Sequence, residues 1–257
     1  MRVVAIVQAR MGSTRLPGKV LMPVLGRPLL AFMLERLARC RSFDAVVVAT
    51  TTEPGDDTVV KVASECGVAV YRGSQDDVLD RYWQAAREAK ADVVVRLTAD
   101  CPLIEPGVCD AVVALLGEPD PCDYAATSPR FAEGLDCEAM TMASLQRSWK
   151  EATLRSEREH VTLYIRNHQE LFTCKVLDNP VDESHFRVTV DEPADFEVIS
   201  AVIAGLYPGH PVFGFASVRT YLESHPEVAA KNSAILRNEG LIKSLAHDGP
   251  VEPGGSL

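Results

Sequence analysis

Basic side chains are concentrated near the start of the sequence, in a stretch that contains no acid. Residues 1–34 hold no Asp or Glu, although the whole chain of 257 residues carries a net charge of −10. The bases in this stretch are Arg2, Arg10, Arg15, Lys19 and Arg27. A basic segment in an acidic protein is suited to binding a small polyanion. The alternative is that the excess of basic residues in this short stretch arose by chance.

Three of these bases lie in a glycine-rich loop, Gln8 to Lys19, which directly follows the first predicted strand. Its sequence is QARMGSTRLPGK. Glycine lets the backbone approach a phosphate closely, and Arg and Lys side chains bind phosphate oxygens. The glycine spacing excludes a Walker A loop and a GxGxxG dinucleotide fingerprint. The loop therefore predicts a phosphate-binding site of another kind, and an ordinary solvated surface loop is the alternative.

Two aspartates end predicted strands in the same local pattern. Asp100 and Asp191 each follow an apolar run and stand two residues before a proline. If the two strands are neighbours in a sheet, both carboxylates reach one crevice beside the glycine-rich loop. Such a pair suits Mg²⁺, which usually takes one or two carboxylates, phosphate oxygens and water. For Asp191, capping of a helix that begins at Pro193 is the alternative.

The elements that must position these residues alternate along the first 116 residues. The predicted strands are Val3–Val7, Ala45–Thr50, Val68–Tyr71 and Val93–Leu97, and helices begin at Pro28, Asp57 or Thr58, Val78 and Pro106. This alternation predicts an α/β fold with a mostly parallel sheet, covered by helices on both faces.

The rest of the chain has a less regular pattern and predicts a small inserted subregion. The composition of Gly117–Pro129 predicts loops. Further predicted helices are Thr141–Lys150, Glu157–His168, Pro193–Leu206, Ser217–Leu222 and pieces within Val228–Leu245, and further strands are Leu171–Val176 and Phe186–Val190. We expect residues 1–246 to form a single domain and residues 247–257 to form a flexible tail.

Charge and hydropathy exclude several classes of protein. The acidic balance argues against a nucleic-acid binder. The apolar runs are far shorter than the roughly 20 residues of a membrane span, and the first residues lack the features of a secretory signal. We therefore expect a cytoplasmic protein with no nucleic-acid partner and no membrane contact.

The glycine-rich loop resembles the opening of the sugar cytidylyltransferases, which make CMP-linked 3-deoxy-octulosonate and CMP-linked acylneuraminate. It is most similar to the branch of the spore-coat polysaccharide biosynthesis protein F. Further blocks similar to that branch are Arg72–Tyr82, Arg96–Ile104, Gly134–Glu138, Arg158–Thr162 and Arg187–Phe196. Together the blocks cover roughly residues 2–200, and the last fifty residues carry no signature.

The resemblance implies a nucleotide-diphospho-sugar transferase fold, which is Rossmann-like, and transfer of CMP from CTP to a small-molecule acceptor such as a sugar acid. It implies Arg10, Lys19, Asp100 and Asp191 as catalytic residues, with Mg²⁺ on the two aspartates. The implied nucleotide-binding residues are Gln8, Ala9, Gly12, Ser13, Arg15, Arg81 and Thr98. For Arg81, an exposed pair with Asp77 on the same helix is the alternative.

Four residues are candidates for binding the acceptor. Asp136 and Glu138 would share one side of a strand and could accept hydroxyl groups, or they are surface acids. Glu159 and His160 could contact the acceptor or carry a proton, or His160 packs against a neighbour. Arg187 could bind an acceptor carboxylate or pair between strands.

Two other functions stay open at this point. One is a nucleotide-sugar-dependent glycosyltransferase, although the chain has no DxD motif and its acid pairs, such as Asp56-Asp57, are adjacent. The other is a non-catalytic nucleotide-binding protein. The resemblance also makes a homodimer possible.

Overall fold

A seven-stranded sheet forms the centre of the computed structural model, which describes residues 1–117 and 119–251. In chain order the strands are β1 (Val3–Gln8), β2 (Pro23–Val24), β3 (Arg27–Pro28), β4 (Ala45–Thr51), β5 (Ala69–Gly73), β6 (Val93–Thr98), β7 (Tyr124–Thr127), β8 (Glu138–Thr141) and β9 (Cys174–Leu177). The sheet has the order β5-β4-β1-β6-β8-β7-β9, and β2 and β3 form a separate antiparallel pair.

Strand β8 is the one strand of this sheet that runs against the others. β1 pairs in parallel with β4 and β6, and β4 pairs in parallel with β5. β8 is antiparallel to both β6 and β7, whereas β7 and β9 are parallel. The prediction of a mostly parallel sheet is confirmed.

Helices cover both faces of the sheet. The helices of the described chain are α1 (Leu29–Leu37), α2 (Asp57–Glu65), α3 (Val78–Glu88), α4 (Pro106–Ala114), α5 (Met142–Glu151), α6 (Arg155–Glu159), α7 (Leu163–Asn167), α8 (Pro193–Leu206), α9 (Phe215–Ser224), α10 (Pro226–Ala229) and α11 (Glu239–Ala246). Of these, α8 and α9 pack in a separate apolar cluster with the segment Phe186–Val190. Successive side chains of a strand point to opposite faces. Ala5 and Val7 therefore pack with α1, α2 and α4, whereas Val4 and Ile6 pack with α3 and α5.

The region from Gly117 to Pro129 differs from its prediction, because it contains β7 within the predicted loops. Only four residues form this strand, and its partners β8 and β9 come later in the chain. Glu157–His168 is not one helix but falls into α6 and α7. Val161, between these helices, has a φ of 48°, a left-handed conformation that interrupts a helix.

Phe186–Val190 is extended but does not join the sheet, so the prediction of a strand is wrong there. The backbone N–H of Val188 donates to the carbonyl of Glu133 at 2.7 Å, and that of Val190 donates to the carbonyl of Asp100 at 2.8 Å. These bonds fasten the segment to the end of β6. They place the following residue, Asp191, beside Asp100.

The chain after α11 returns to the segment between α5 and α6. Within the predicted tail, the N–H of Val251 donates to Thr153 at 2.7 Å, and the hydroxyl of Ser156 donates to Asp248 at 2.6 Å. Residues 252–257 of that tail lie outside the described residues. The single domain over residues 1–246 stays a prediction. Among the described residues, no helix has the length and apolar character needed to cross a bilayer.

Gly134 provides a test of how the extended segment is held. Its φ is 104°, and a Cβ there would lie 2.6 Å from the backbone N of Thr189 and the carbonyl carbon of Val188. Backbone strain of this kind costs about 1–3 kcal/mol, and the clash adds to it. We therefore expect Gly134→Ala to lower the free energy of unfolding by at least about 2 kcal/mol, measured by urea denaturation. Gly107→Ala in α4, where a Cβ meets nothing within 4 Å, is the control and should be neutral or slightly stabilising. An unchanged midpoint for Gly134→Ala would contradict the contact.

Candidate active site

A cavity of about 390 Å³ opens at the carboxyl ends of β1 and β6, beside the glycine-rich loop. Six basic side chains and three acidic ones line it, in a protein with an excess of acids. The basic residues are Arg10, Arg15, Lys19, Arg81, Arg96 and Lys243, and the acids are Asp100, Glu159 and Asp191. Loops at the carboxyl ends of parallel strands are the usual ligand site of α/β sheets. The charge suits an anionic ligand.

Lys19 lies between the two predicted catalytic aspartates. Its Nζ donates to Oδ2 of Asp100 at 2.9 Å and to Oδ1 of Asp191 at 2.6 Å. The chain reaches this position because Gly18, with a φ of 72°, starts the short 3-10 turn Lys19–Leu21. The sequence prediction that Asp100 and Asp191 share one crevice with the loop therefore agrees with the geometry.

Electrostatics keep the Lys19 ammonium and the Asp100 carboxylate ionised. Burial acts to raise the pKa of the Asp100 carboxyl, but the Lys19 ammonium and nearby hydrogen bonds outweigh it and hold this pKa at about 2. Burial acts to lower the pKa of Lys19, but the charges of Asp100 and Asp191 dominate and raise it. The ammonium thus offsets the repulsion between two carboxylates.

The alternative role of Asp191 as a helix cap is wrong. Glu192 is the N-cap residue of α8, and Asp195 completes its capping box. The Oδ2 of Asp195 accepts from the backbone N–H of Glu192 at 3.0 Å and also from that of Asp191 at 2.9 Å. The Asp191 carboxylate points instead to Lys19 and to the guanidinium of Arg15, at 3.1 Å.

Asp56 anchors the start of the glycine-rich loop, a role that the sequence did not indicate. Its carboxylate accepts from the backbone N–H of Met11 at 2.8 Å and from the Thr51 hydroxyl at 2.6 Å. Burial raises the pKa of Asp56, but these bonds outweigh it and lower the pKa overall. The other end of the loop returns to the same point, because Gly18 donates to the Met11 carbonyl at 3.0 Å.

The predicted nucleotide-binding residues line the cavity with one exception. The lining residues among them are Gln8, Ala9, Ser13, Arg15, Arg81 and Thr98. Gly12 is exposed and is not part of the wall. Arg10 is exposed at the rim, where its charge can reach a ligand. Arg15 is committed to carboxylates, with an N–O distance of 2.8 Å to Glu239 in addition to its contact with Asp191.

Arg81 is buried and donates to the carbonyl of Ser74. The alternative of an exposed pair with Asp77 is wrong, because Asp77 pairs with Arg158 instead. Burial lowers the pKa of Arg81. Its Nε is buried without a hydrogen-bond partner within the described residues, and the residue lines the cavity.

Several other buried polar atoms of this cavity also lack hydrogen-bond partners in the described chain. They are Oε1 of Gln8, Nε of Arg96 and Nε2 of His160. A buried polar atom left unpaired costs free energy. A bound substrate that supplied the missing partners would remove that cost.

The predicted acceptor residues fall into two cavities. Glu159 and His160 line the first one. Asp136 and Glu138 line a second cavity of about 590 Å³, and Arg96 belongs to both walls. Glu138 is not free for a ligand, because it binds Arg96, the Tyr124 hydroxyl and the Thr162 hydroxyl.

Asp136 and Arg187 already have ion-pair partners, whereas His160 is distinguished by a shifted pKa. Asp136 accepts from Arg237 at 2.7 Å. Burial lowers the pKa of His160, with further lowering by the charge of Arg96, so the ring is neutral at pH 7. Arg187 is buried and pairs with Glu133 and Asp195, so its role is to join segments of the chain.

Comparison with known proteins decides the class. Residues 4–200 match the family described as cytidylyltransferase. The chain belongs to the cytidylyltransferase family. The predicted resemblance and the predicted activity of a CTP-dependent cytidylyltransferase are therefore confirmed.

Three relatives show how far the similarity extends. The spore coat polysaccharide biosynthesis protein SpsF of Bacillus subtilis is 33% identical over 238 residues, which is 89% of this chain and 97% of that protein. The solved structure of a cytidylyltransferase from Leptospira borgpetersenii is 35% identical, with a TM-score of 0.86, and covers 92% of this chain and 100% of its own. The 3-deoxy-manno-octulosonate cytidylyltransferase of Anaeromyxobacter dehalogenans is 40% identical over 117 residues, 44% of this chain and 47% of that enzyme.

Sequence reasoning on this cytidylyltransferase did not predict Arg96 and three residues of α11 that belong to the cavity wall. The one local signal for Arg96 is its charge inside the apolar strand β6. Gly240, Lys243 and Ser244 belong to α11, and no local signal marks them. They come into the site through contacts between residues far apart in the chain.

The chemistry of Asp100 and Asp191 fits Mg²⁺. Both carboxylates approach the same Nζ, so oxygen ligands that a hard cation prefers lie close together. Across residues 1–117 and 119–251, no group of three or more His, Cys, Asp or Glu side chains could hold a metal alone. The remaining ligands would therefore be phosphate oxygens and water.

Lys19 provides a test of the electrostatic balance. In Lys19→Met we expect the free energy of unfolding at pH 7 to fall by about 2 kcal/mol, less than the roughly 3–5 kcal/mol of a fully buried pair, because the carboxylates are partly exposed. Without the ammonium, burial raises the pKa of Asp100, so the loss should shrink as pH falls and the carboxylates take up protons.

Denaturant unfolding at pH 4 and pH 7 measures this difference. Lys231→Met is the matched control, because Lys231 forms one exposed ion pair with Glu197 and should cost little at either pH. If Lys19→Met lowers the free energy of unfolding equally at both pH values, the electrostatic balance assigned to Lys19, Asp100 and Asp191 is contradicted.

Proposed function

We propose that this cytidylyltransferase transfers CMP from CTP to a sugar acid or a related acceptor and releases pyrophosphate, in surface polysaccharide biosynthesis. The observation that carries the proposal is the ammonium of Lys19 held between Asp100 and Asp191 in a cavity with excess basic charge. The names of two relatives support it, since one is a spore coat polysaccharide biosynthesis protein and the other acts on 3-deoxy-manno-octulosonate.

The reaction needs charge neutralisation more than covalent chemistry. An acceptor oxygen attacks the α-phosphorus of CTP, a new P–O bond forms, and the bond to the β-phosphate breaks. Negative charge then grows on the phosphate oxygens and on pyrophosphate. Arg10 and Lys19 neutralise that charge. Lys19 can do so while it holds the aspartates, because an ammonium has three donors.

The base lies near Gln8 and Ala9 in this proposal. The backbone carbonyl of Gln8 is already used by the N–H of Ala99 at 3.0 Å. The side-chain Oε1 of Gln8 is a buried acceptor without a partner in the described chain. The amino group of cytosine is a donor at the position where uracil has a carbonyl, so an acceptor here favours cytosine.

The acceptor lies against Glu159 and His160, the two predicted acceptor residues of the first cavity. A neutral His160, whose buried Nε2 has no hydrogen-bond partner among the described residues, can take a proton from the attacking hydroxyl. Glu138 acts as a positioning residue in this scheme, because its carboxylate fixes the guanidinium of Arg96. Asp136 has no direct part in it, since its carboxylate binds Arg237.

Asp100 and Asp191 would hold Mg²⁺ when nucleotide is bound. The ion would neutralise charge on the phosphates and orient the triphosphate. Its neighbours Lys19 and Arg15 would keep the two carboxylates in place. A homodimer, a cytoplasmic location and the absence of nucleic-acid and membrane partners remain predictions.

Nucleotide choice tests the proposed reaction. Pyrophosphate release is measured with each of the four nucleoside triphosphates, Mg²⁺ and candidate acceptors, among them 3-deoxy-manno-octulosonate. We expect CTP to be used at least about tenfold better than UTP, because the wrong base leaves a buried polar group unpaired. Equal turnover with both nucleotides would contradict the assigned base site.

Two other outcomes would favour a different function. Tight CTP binding without pyrophosphate release for any acceptor would favour a non-catalytic binding protein, and transfer of a sugar from a nucleotide sugar would favour a glycosyltransferase.

Asp191→Asn and Asp100→Asn test the magnesium site. Each change removes a carboxylate charge, so we expect at least about a hundredfold loss of Mg²⁺-dependent turnover. The cap of α8 should survive in Asp191→Asn, because Glu192 and Asp195 form it. Turnover is measured against Mg²⁺ concentration, with thermal melting as the folding control. If both variants keep wild-type turnover and the wild-type Mg²⁺ midpoint, the two-aspartate site is wrong.

A further inference from the structure

Helix α11 forms part of the wall of the active-site cavity, although it lies beyond residues 4–200 that match the family. Gly240, Lys243 and Ser244 line the cavity. The helix has no buried residue, so apolar packing does not explain its position. Polar contacts must hold it there.

Those contacts attach the helix at both ends, and the one near its end reaches a residue of the cavity wall. At its start, the backbone N–H of Asn238 donates to Oε1 of Glu133 at 3.0 Å. Near its end, the hydroxyl of Ser244 donates to Glu159 at 2.8 Å. Glu159 is itself a residue of the cavity, so α11 bridges the opening beside it.

The charges on α11 connect it to the glycine-rich loop. One oxygen of Glu239 accepts from Arg15 at 2.8 Å, and the other lies 2.8 Å from Nζ of Lys243. A single carboxylate therefore brings the ammonium of Lys243 next to the guanidinium of Arg15. Ser13 and Thr14, which line the same cavity, precede Arg15 in the loop.

We infer that Lys243 binds the phosphate tail of CTP and the pyrophosphate that leaves from it. This inference rests on the proposed function and adds a phosphate-binding residue from outside the matched family region. The side chain of Lys243 is 61% exposed, so its stem is free to move, and a lysine binds phosphate as a mobile point charge. Its ammonium has three donors, so Glu239 can keep one while phosphate oxygens take the others.

Titration calorimetry with CTP and with CMP, both in the presence of Mg²⁺, tests the role of Lys243. We expect Lys243→Ala to weaken CTP binding about tenfold, the lower end for a charged hydrogen bond, because the site is partly exposed. CMP binding should stay at the wild-type value, since CMP lacks the β- and γ-phosphates. Lys243→Arg should restore most of the CTP affinity.

Lys231→Ala is the matched control. Lys231 is another exposed lysine of the C-terminal region that pairs with a glutamate, and it does not line the cavity. It should leave both affinities unchanged. Unchanged CTP affinity in Lys243→Ala, or an equal loss for CTP and CMP, would overturn the inference. A wild-type protein that binds no CTP would instead overturn the proposed function, and this inference with it.

Discussion

The ion pair of Lys19 with Asp100 and Asp191 joins three segments that are far apart in the chain. Lys19 belongs to the loop after β1, Asp100 follows β6, and Asp191 precedes α8. Two carboxylates this close would repel each other without the ammonium. The same charges that hold the segments together also line the cavity, so the stability of the fold and the charge of the cavity depend on one cluster.

A second network fixes Asp191 from behind. Arg187 donates to Asp195 at 2.8 Å and also pairs with Glu133, and both partners are largely buried. Asn232 donates to Asp195 at 2.9 Å and thereby ties in the C-terminal region. Asp195 receives these donors and also accepts from the backbone N–H of Asp191, so groups that do not line the ligand cavity help to fix the backbone of Asp191. Rigid support of this kind keeps charged groups oriented before substrate arrives.

The cavity combines paired charges with unpaired buried atoms. Lys19 and Arg15 are neutralised by carboxylates. Polar atoms of Gln8, Arg96 and His160 are buried without partners within the described residues. The paired groups define the shape of the site without a ligand. The unpaired ones favour a ligand with matching donors and acceptors, which is the physical basis of selectivity.

The sequence alone determined the α/β half of the fold and indicated the charged residues of the cavity beside the glycine-rich loop. Apolar runs of β1 and β6 mark buried strands, and Pro193–Leu206 was predicted with the bounds that the structure has. The common pattern of Asp100 and Asp191 predicted one crevice on the condition that both preceding segments are neighbouring strands. The two carboxylates do share a crevice, but Phe186–Val190 reaches it outside the sheet, through the bond from Val190 to Asp100. Such signals are local, because they depend on the spacing of apolar residues and on helix starts.

Tertiary structure alone decided the rest. β7 forms through its pairing with β8 and β9, which come later in the chain. Phe186–Val190 binds Glu133 and Asp100 instead of entering the sheet. Glu138 pairs with Arg96. Arg15 meets Glu239 across 224 positions of sequence. A contact at that separation leaves no periodicity for a local pattern to reveal, because its energy arises only after the intervening chain has folded.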